Sequence, residues 1–152
     1  MKLKKTVKAL LFVGATLLST QFLHADAQFD ELFKASENGT GQAKFDAILK
    51  AAENGDANAQ NNVGRAYAQN IVVDVDYDKA VYWYRKAADQ DQAEAQFSLG
   101  VAYSQGIGVP YSDDQALFWL KKALNNGYTD AQQFIDLIKE QSKERSKNRS
   151  KK

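Results

Sequence analysis

The chain has 152 residues, 44% hydrophobic and 26% charged, with a formal net charge of +1; this suits one ordinary domain, and the composition neither demands disorder nor suggests a fibre. It contains no Cys, and its single His is His24. Disulfides, thiol chemistry and Cys/His zinc sites are therefore excluded.

The first residues read as an address. Lys2, Lys4, Lys5 and Lys8 precede an apolar run from Ala9 to Leu18, and Ala25-Asp26-Ala27 supplies small residues at the positions that direct cleavage. The expectation is a signal peptide over 1–27, cut after Ala27, and a periplasmic or secreted protein. An uncleaved anchor is the alternative. The run falls short of the roughly 20 apolar residues that span a bilayer, which disfavours it.

Residues 28–152 hold 16 basic and 18 acidic side chains, unevenly divided: 28–138 carry 9 basic against 16 acidic, and 139–152 carry 7 against 2. An acidic body thus bears a basic tail. With no His and no Cys after residue 27, Ser-His-Asp and Cys-His nucleophile systems are excluded, as are the usual nitrogen and sulfur metal ligands.

One interval organises the body. Gly64 and Gly100, Tyr67 and Tyr103, Val73 and Val109, Ala80 and Ala116, Trp83 and Trp119, and Ala87 and Ala123 are each 36 residues apart, and Ala59-Gln60, Ala95-Gln96 and Ala131-Gln132 recur at the same offset. Within each period the apolar spacing is helical twice. Ala59, Val63, Ala66 and Tyr67, with their counterparts Ala95, Leu99, Ala102 and Tyr103, form one stripe. Ala80, Trp83, Tyr84 and Ala87, with Ala116, Trp119, Leu120 and Ala123, form the other.

In chain order, Phe29, Leu32 and Phe33 belong to a short leading helix, and Gln42 to Asn54 matches only the second helix of a period, so 28–56 form an N-terminal helix and partial repeat. Repeat one spans 57–92 and repeat two spans 93–128. Asp76 and Ser112 stand where they can cap the second helices. Gly64 and Gly100 make room for a bulky residue of the second helix, and Trp83, Trp119, Tyr67 and Tyr103 read as core rather than as ligand-stacking rings. Trp119 is expected beside the terminal helix. Val72 stands where the second loop has Gly108, and since Val resists the left-handed region the two loops are expected to differ in shape. Asp74, Asp76 and Asp78 resemble a calcium loop only superficially, because Lys79 and Arg85 occupy the positions that need Gly and Glu; capping explains the carboxylates better.

Asp136 and Lys139 replace Gly and Tyr in the third copy, which makes 129–145 a terminal capping helix. Residues 146–152 have nothing to bury and are expected to be disordered. The tail could touch an anionic envelope surface weakly, or simply be solvated; export argues against nucleic acid.

The string Ala95-Gln96-Phe97-Ser98-Leu99-Gly100-Val101-Ala102-Tyr103, with Gly106-Ile107-Gly108-Val109 and Trp119 between Ala116 and Ala123, resembles the Sel-1-like repeat family, relatives of the tetratricopeptide repeat. That resemblance implies an all-α solenoid of antiparallel helix pairs whose concave face, formed by the first helices, binds a protein or peptide. It transfers partner-binding positions onto Asn58, Asn61, Arg65 and Ala68, onto Glu94, Phe97, Val101 and Ser104, and onto Gln133. Phe97 lies off the core stripe and has two readings, a binding hot spot or a contact with a neighbouring repeat. No catalytic residue, cofactor or metal is expected. The alternative is a secreted hydrolase, since Cys-stapled relatives have been linked to β-lactam binding or hydrolysis; the lack of Cys and of a Ser-x-x-Lys motif disfavours it.

Overall fold

The computed structural model describes residues 27–37 and 39–149, which form seven helices and, among the described residues, no strand. The charged leader up to Asp26 lies outside the described residues, as do 150–152. Helix α1 (Ala27–Glu37) leads into α2 (Gly41–Glu53). Then α3 (Ala57–Gln69) pairs with α4 (Tyr77–Ala88), α5 (Ala93–Gln105) pairs with α6 (Asp113–Asn125), and α7 (Ala131–Arg149) follows alone. The chain is an all-α repeat solenoid, as the 36-residue interval predicts. Among the described residues no helix is long and apolar enough to cross a membrane.

Helix starts follow from side-chain acceptors. Asp56, Asp76, Gln92 and Ser112 accept from the backbone N–H groups of Ala59, Lys79, Ala95 and Gln115 at 2.7, 3.0, 2.5 and 3.2 Å. The Lys79 N–H and ammonium hold the Asp76 carboxyl below its ordinary range, so one member of the Asp-rich segment is accounted for as a cap.

The expected difference between the two interhelical loops is not found. Asn70 (φ 57°, ψ 43°) and Gly106 (φ 65°, ψ 41°) both close their helices in the left-handed region. Val72 at φ 70° matches Gly108 at φ 67°. The backbone bonds repeat too: Ile71 and Ile107 N–H reach Ala66 and Ala102 O, and Asp76 and Ser112 N–H reach Tyr67 and Tyr103 O. Val72 is held in this strained state by its seat. A Cβ on Gly41 would stand 2.7 Å from Val72 Cγ2; one period on, the equivalent positions are Tyr77 and Gly108, and a Cβ added to Gly108 would strike the backbone carbonyl of Tyr77. A glycine stands on one side of this contact each time, on the helix in the first repeat and in the loop in the second.

The core is built in overlapping layers. Gly64 and Gly100 lie against Tyr84 and Leu120, each of which an added Cβ would meet at 2.7 Å. The tryptophans reach backward. Trp83 belongs to the core layer that holds Ile48, Ala52 and Val63, and Trp119 to the layer that holds Val81, Tyr84 and Leu99. Trp119 therefore faces the preceding repeat instead of the terminal helix. Tyr67 and Tyr103 are only half-buried; Lys79 lies over the Tyr67 ring, and Arg85 donates to the Tyr103 hydroxyl at 2.6 Å.

A buried amide clasp repeats with the fold. Gln60 Nε2 donates to Ala52 O at 3.0 Å and Gln96 Nε2 to Ala88 O at 3.1 Å, tying each first helix to the end of the preceding second helix. Gln90 and Asn126 donate back to the Gln60 and Gln96 Oε1 atoms at 2.7 and 2.9 Å. Gln132 breaks the series by bonding Asp136 on its own helix.

Helix α7 covers the last layer through Ala131, Ile135 and Ile138. It continues to Arg149, so residues 146–149 are helical where disorder was expected. The reason lies one turn earlier: Arg145 donates to the Tyr111 hydroxyl and to Asp113 and lies over the Tyr111 ring, which pins the polar extension to the start of α6.

Candidate partner-binding face

The positions transferred from the family pattern lie on α3, α5 and α7, and the structure divides them. Asn58 and Gln133 are exposed, while Ala68, Val101 and Ser104 are half-exposed. Ser104 turns its hydroxyl onto Val101 O at 2.8 Å. These five lie at the solvent surface.

The other four are engaged within the chain. Asn61 is fully buried, and its Nδ2 donates to Glu94 Oε2 at 3.0 Å. Glu94 pairs with Arg65 at 3.1 Å, with side chains only 16% and 14% exposed. The Arg65 guanidinium also lies 3.6 Å from the centre of the Phe29 ring. These groups bind one another, a charge-assisted network between adjacent first helices. Phe97 is 5% exposed. Its ring stacks on Tyr128 at 4.6 Å and meets Phe134 edge-on at 4.9 Å, so of its two readings the structure takes the contact with a neighbouring element.

Burial around this cluster also affects two phenols. Burial pushes the Tyr84 hydroxyl well above its ordinary pKa, opposed by the nearby Arg65 charge and a Ser98 hydrogen bond. Burial does the same to Tyr128, reinforced by the Glu94 charge. Both phenols are thereby kept in their neutral form near neutral pH. Among the described residues no group of three His, Cys, Asp or Glu side chains is placed to hold a metal.

One surface residue was missed. Leu137 is 41% exposed and stands 36 residues after Val101, as Val101 stands 36 after Arg65. Continuing the offset into α7 would have found it. Val101 and Leu137 thus share one register on α5 and α7, with Ala68 and Val101 partly buried against the core and the amides Asn58 and Gln133 exposed on the first-helix positions.

The Sel1 repeat family model matches residues 57–92 and 93–128. Among curated proteins no sequence matches. Among solved structures, the chain is similar to a Sel1 repeat protein from Oxalobacter formigenes at 29% identity and a TM-score of 0.60, over 70% of this chain and 45% of that one. A protective antigen of uropathogenic Escherichia coli strains displaying an SLR fold matches at 29% identity and a TM-score of 0.65, over 81% of this chain and 27% of that one. Helicobacter pylori cysteine rich protein B matches at 26% identity and a TM-score of 0.60, over 69% and 90%. The chain thus spans less than half the length of the first two.

Proposed function

Since the chain belongs to the Sel1 repeat family, whose repeats generally mediate protein–protein interaction, we propose that it is an exported, non-catalytic scaffold binding a protein or short peptide through its first-helix face. The observation that supports this reading is that the exposed Leu137 and the partly exposed Val101 share one register on α7 and α5, with Ala68 partly exposed on α3. The face is short. Each full first helix has 13 residues and spans roughly 20 Å, enough for a short extended peptide or one helix.

The chemistry of the face selects the partner's character. Arg65 and Glu94 neutralise each other, so what remains is small, apolar and amide-bearing. The partner presents apolar side chains there, and binding through this face is only weakly sensitive to salt. Export is supported by the lysine-rich start, the apolar run and Ala25-Asp26-Ala27.

Two measurements test the reading. Intact mass of the protein recovered from the envelope or medium should correspond to a chain starting at Gln28; retention of Met1 removes the export half. For the face, Leu137→Arg with Gln133→Arg, both at exposed positions, should abolish capture of the partner while leaving the urea midpoint near that of the parent. A variant that still captures the partner equally removes the binding half.

A further inference from the structure

The face built by the second helices carries one pattern twice, and binding through the first helices does not use it. On α4, Asp78, Tyr82 and Lys86 stand four residues apart; on α6, Asp114, Phe118 and Lys122 do the same 36 residues later. Residues four apart lie on one side of a helix, so each helix presents a carboxylate, a ring and an ammonium group in line from its N-terminal to its C-terminal end. Asp78, Lys86 and Asp114 are exposed and Lys122 is half-exposed. Tyr82 is 54% exposed and Phe118 50%, although each ring meets its neighbouring tryptophan edge-on at 5.1 Å. Trp119 of α6 belongs to the core layer that holds Val81 and Tyr84 of α4, so the two patterns share one surface.

Neither sign of charge dominates that surface. The shallow depression beside Phe118 is lined by Asp114 as well as by Lys121 and Lys122. On α2, Asp46 stands at the ring position, where it accepts from Gln42 at 2.8 Å. The lysines are held weakly. Lys86 and Lys122 lie 5.2 and 5.6 Å from the ring centres on their own helices, and Lys122 reaches Asp91 only at 4.0 Å, with side chains 42% and 72% exposed. Exposed contacts of this kind contribute little, and an incoming carboxylate can take their place. A purely anionic or purely cationic ligand meets repulsion at one end of the pattern, whereas a partner whose charges run the opposite way meets none.

We propose that this surface binds a second copy of the chain, in a two-fold pair whose α4 and α6 run antiparallel to their counterparts. The rings mark the axis. Tyr82 is midway between Asp78 and Lys86, and Phe118 is midway between Asp114 and Lys122. Turning one copy about the ring row therefore brings Asp78 and Asp114 of each copy to Lys86 and Lys122 of the other, and sets ring against ring. A two-fold contact needs a patch complementary to itself, and both repeats meet that condition. A parallel pair would set carboxylate on carboxylate and ammonium on ammonium. Asp46 bounds the patch at α2, so the contact centres on α4 and α6. With 12 and 13 residues, each helix is about 18–20 Å long and about 10 Å across, giving on the order of 400 Å² per copy. This is about half of the roughly 800 Å² per partner in a standard interface. The pair is consequently weak and forms as concentration rises.

The test is sedimentation equilibrium of the chain in the form recovered from the envelope or medium. The mass should rise from monomer toward dimer as concentration is raised to about 1 mM, and less so in added salt, which screens exposed pairs. Lys86→Glu with Lys122→Glu should abolish the rise, and so should Asp78→Lys with Asp114→Lys. Mixed together, these two variants should associate more tightly than the parent does with itself, because one presents only carboxylates at these positions and the other only ammonium groups; that gain also shows that both are folded. Tyr82→Ser with Phe118→Ser should weaken the parent's association by about tenfold or more. A parent that stays monomeric throughout overturns the proposal, as does a dimer that survives either charge reversal or the serine substitutions. Reversed variants that keep the parent's helical signal yet remain apart when mixed overturn it too. Dimerisation lost instead to Leu137→Arg would belong to the first-helix face and overturns it equally.

Discussion

At the residue scale the most informative pair is Gly41 and Val72. A valine at φ 70° carries a strain of about 1 kcal/mol or more, and the fold tolerates it because the facing helix position has no side chain. The equivalent pair, Tyr77 and Gly108, reverses the assignment. Gly41→Ala should therefore destabilise the protein by about 1–3 kcal/mol through overpacking. Adding Val72→Gly should recover part of that loss, because it removes the methyl group in the way. A urea-unfolding double-mutant cycle measures the coupling, expected at about 0.5 kcal/mol or more; additive effects would mean that Ser36, whose Cα would stand 3.0 Å from the new Cβ, is the true obstacle. Phe97→Ala is the companion case. With its ring enclosed by Tyr128 and Phe134, it should cost on the order of 3–5 kcal/mol in unfolding free energy, the signature of a core residue rather than a surface anchor.

At the element scale the sequence told a good deal, and its failures have identifiable causes. Two helices per period were legible because apolar residues at helical spacing return at 36 residues, and Asp76 and Ser112 marked the second-helix starts because short polar side chains satisfy orphan N–H groups there. The candidate face was less legible. Phe97 sits off the stripe of its own helix, and only the next element's Phe134 and Tyr128 bury it; Arg65 and Glu94 lie 29 residues apart in sequence, with nothing local to signal that they pair. The same blindness hid Arg145. A polar segment extends as helix because one arginine finds Tyr111 and Asp113 across 34 and 32 residues. Since the Arg145 side chain is 45% exposed, that clasp contributes at most about 1 kcal/mol. Arg145→Ala should leave the global midpoint almost unchanged, yet hydrogen exchange in the last two turns of α7 should speed up markedly, because local opening no longer has to break it. Unaltered exchange there would show that the extension is held by its own backbone.

At the scale of the whole molecule, the question is whether so short an array unfolds as one. Repeat stability is a sum of unit terms and interface terms, and here the interfaces are dominated by the tryptophans: Trp83 reaches into the layer of α2 and α3, and Trp119 reaches into the layer of α4 and α5. The amide clasps reinforce the same joints, because Gln60 and Gln96 each bond the helix before and the segment after. Each interface thus carries a large apolar wedge and a buried polar tie, and both would be lost together if the units separated. This favours a single transition for the parent. Trp119→Ala should remove on the order of 3–5 kcal/mol, a large fraction of the roughly 5–15 kcal/mol typical of a domain. Its loss should fall on the joint between the two full repeats, since the side chain faces backward and not toward α7. Urea unfolding followed by circular dichroism and, separately, by the remaining Trp83 fluorescence should then give non-coincident transitions in Trp119→Ala, with coincident ones in the parent. A Trp119→Ala protein that keeps coincident transitions at an unshifted midpoint would mean that Trp119 is not the wedge between the repeats.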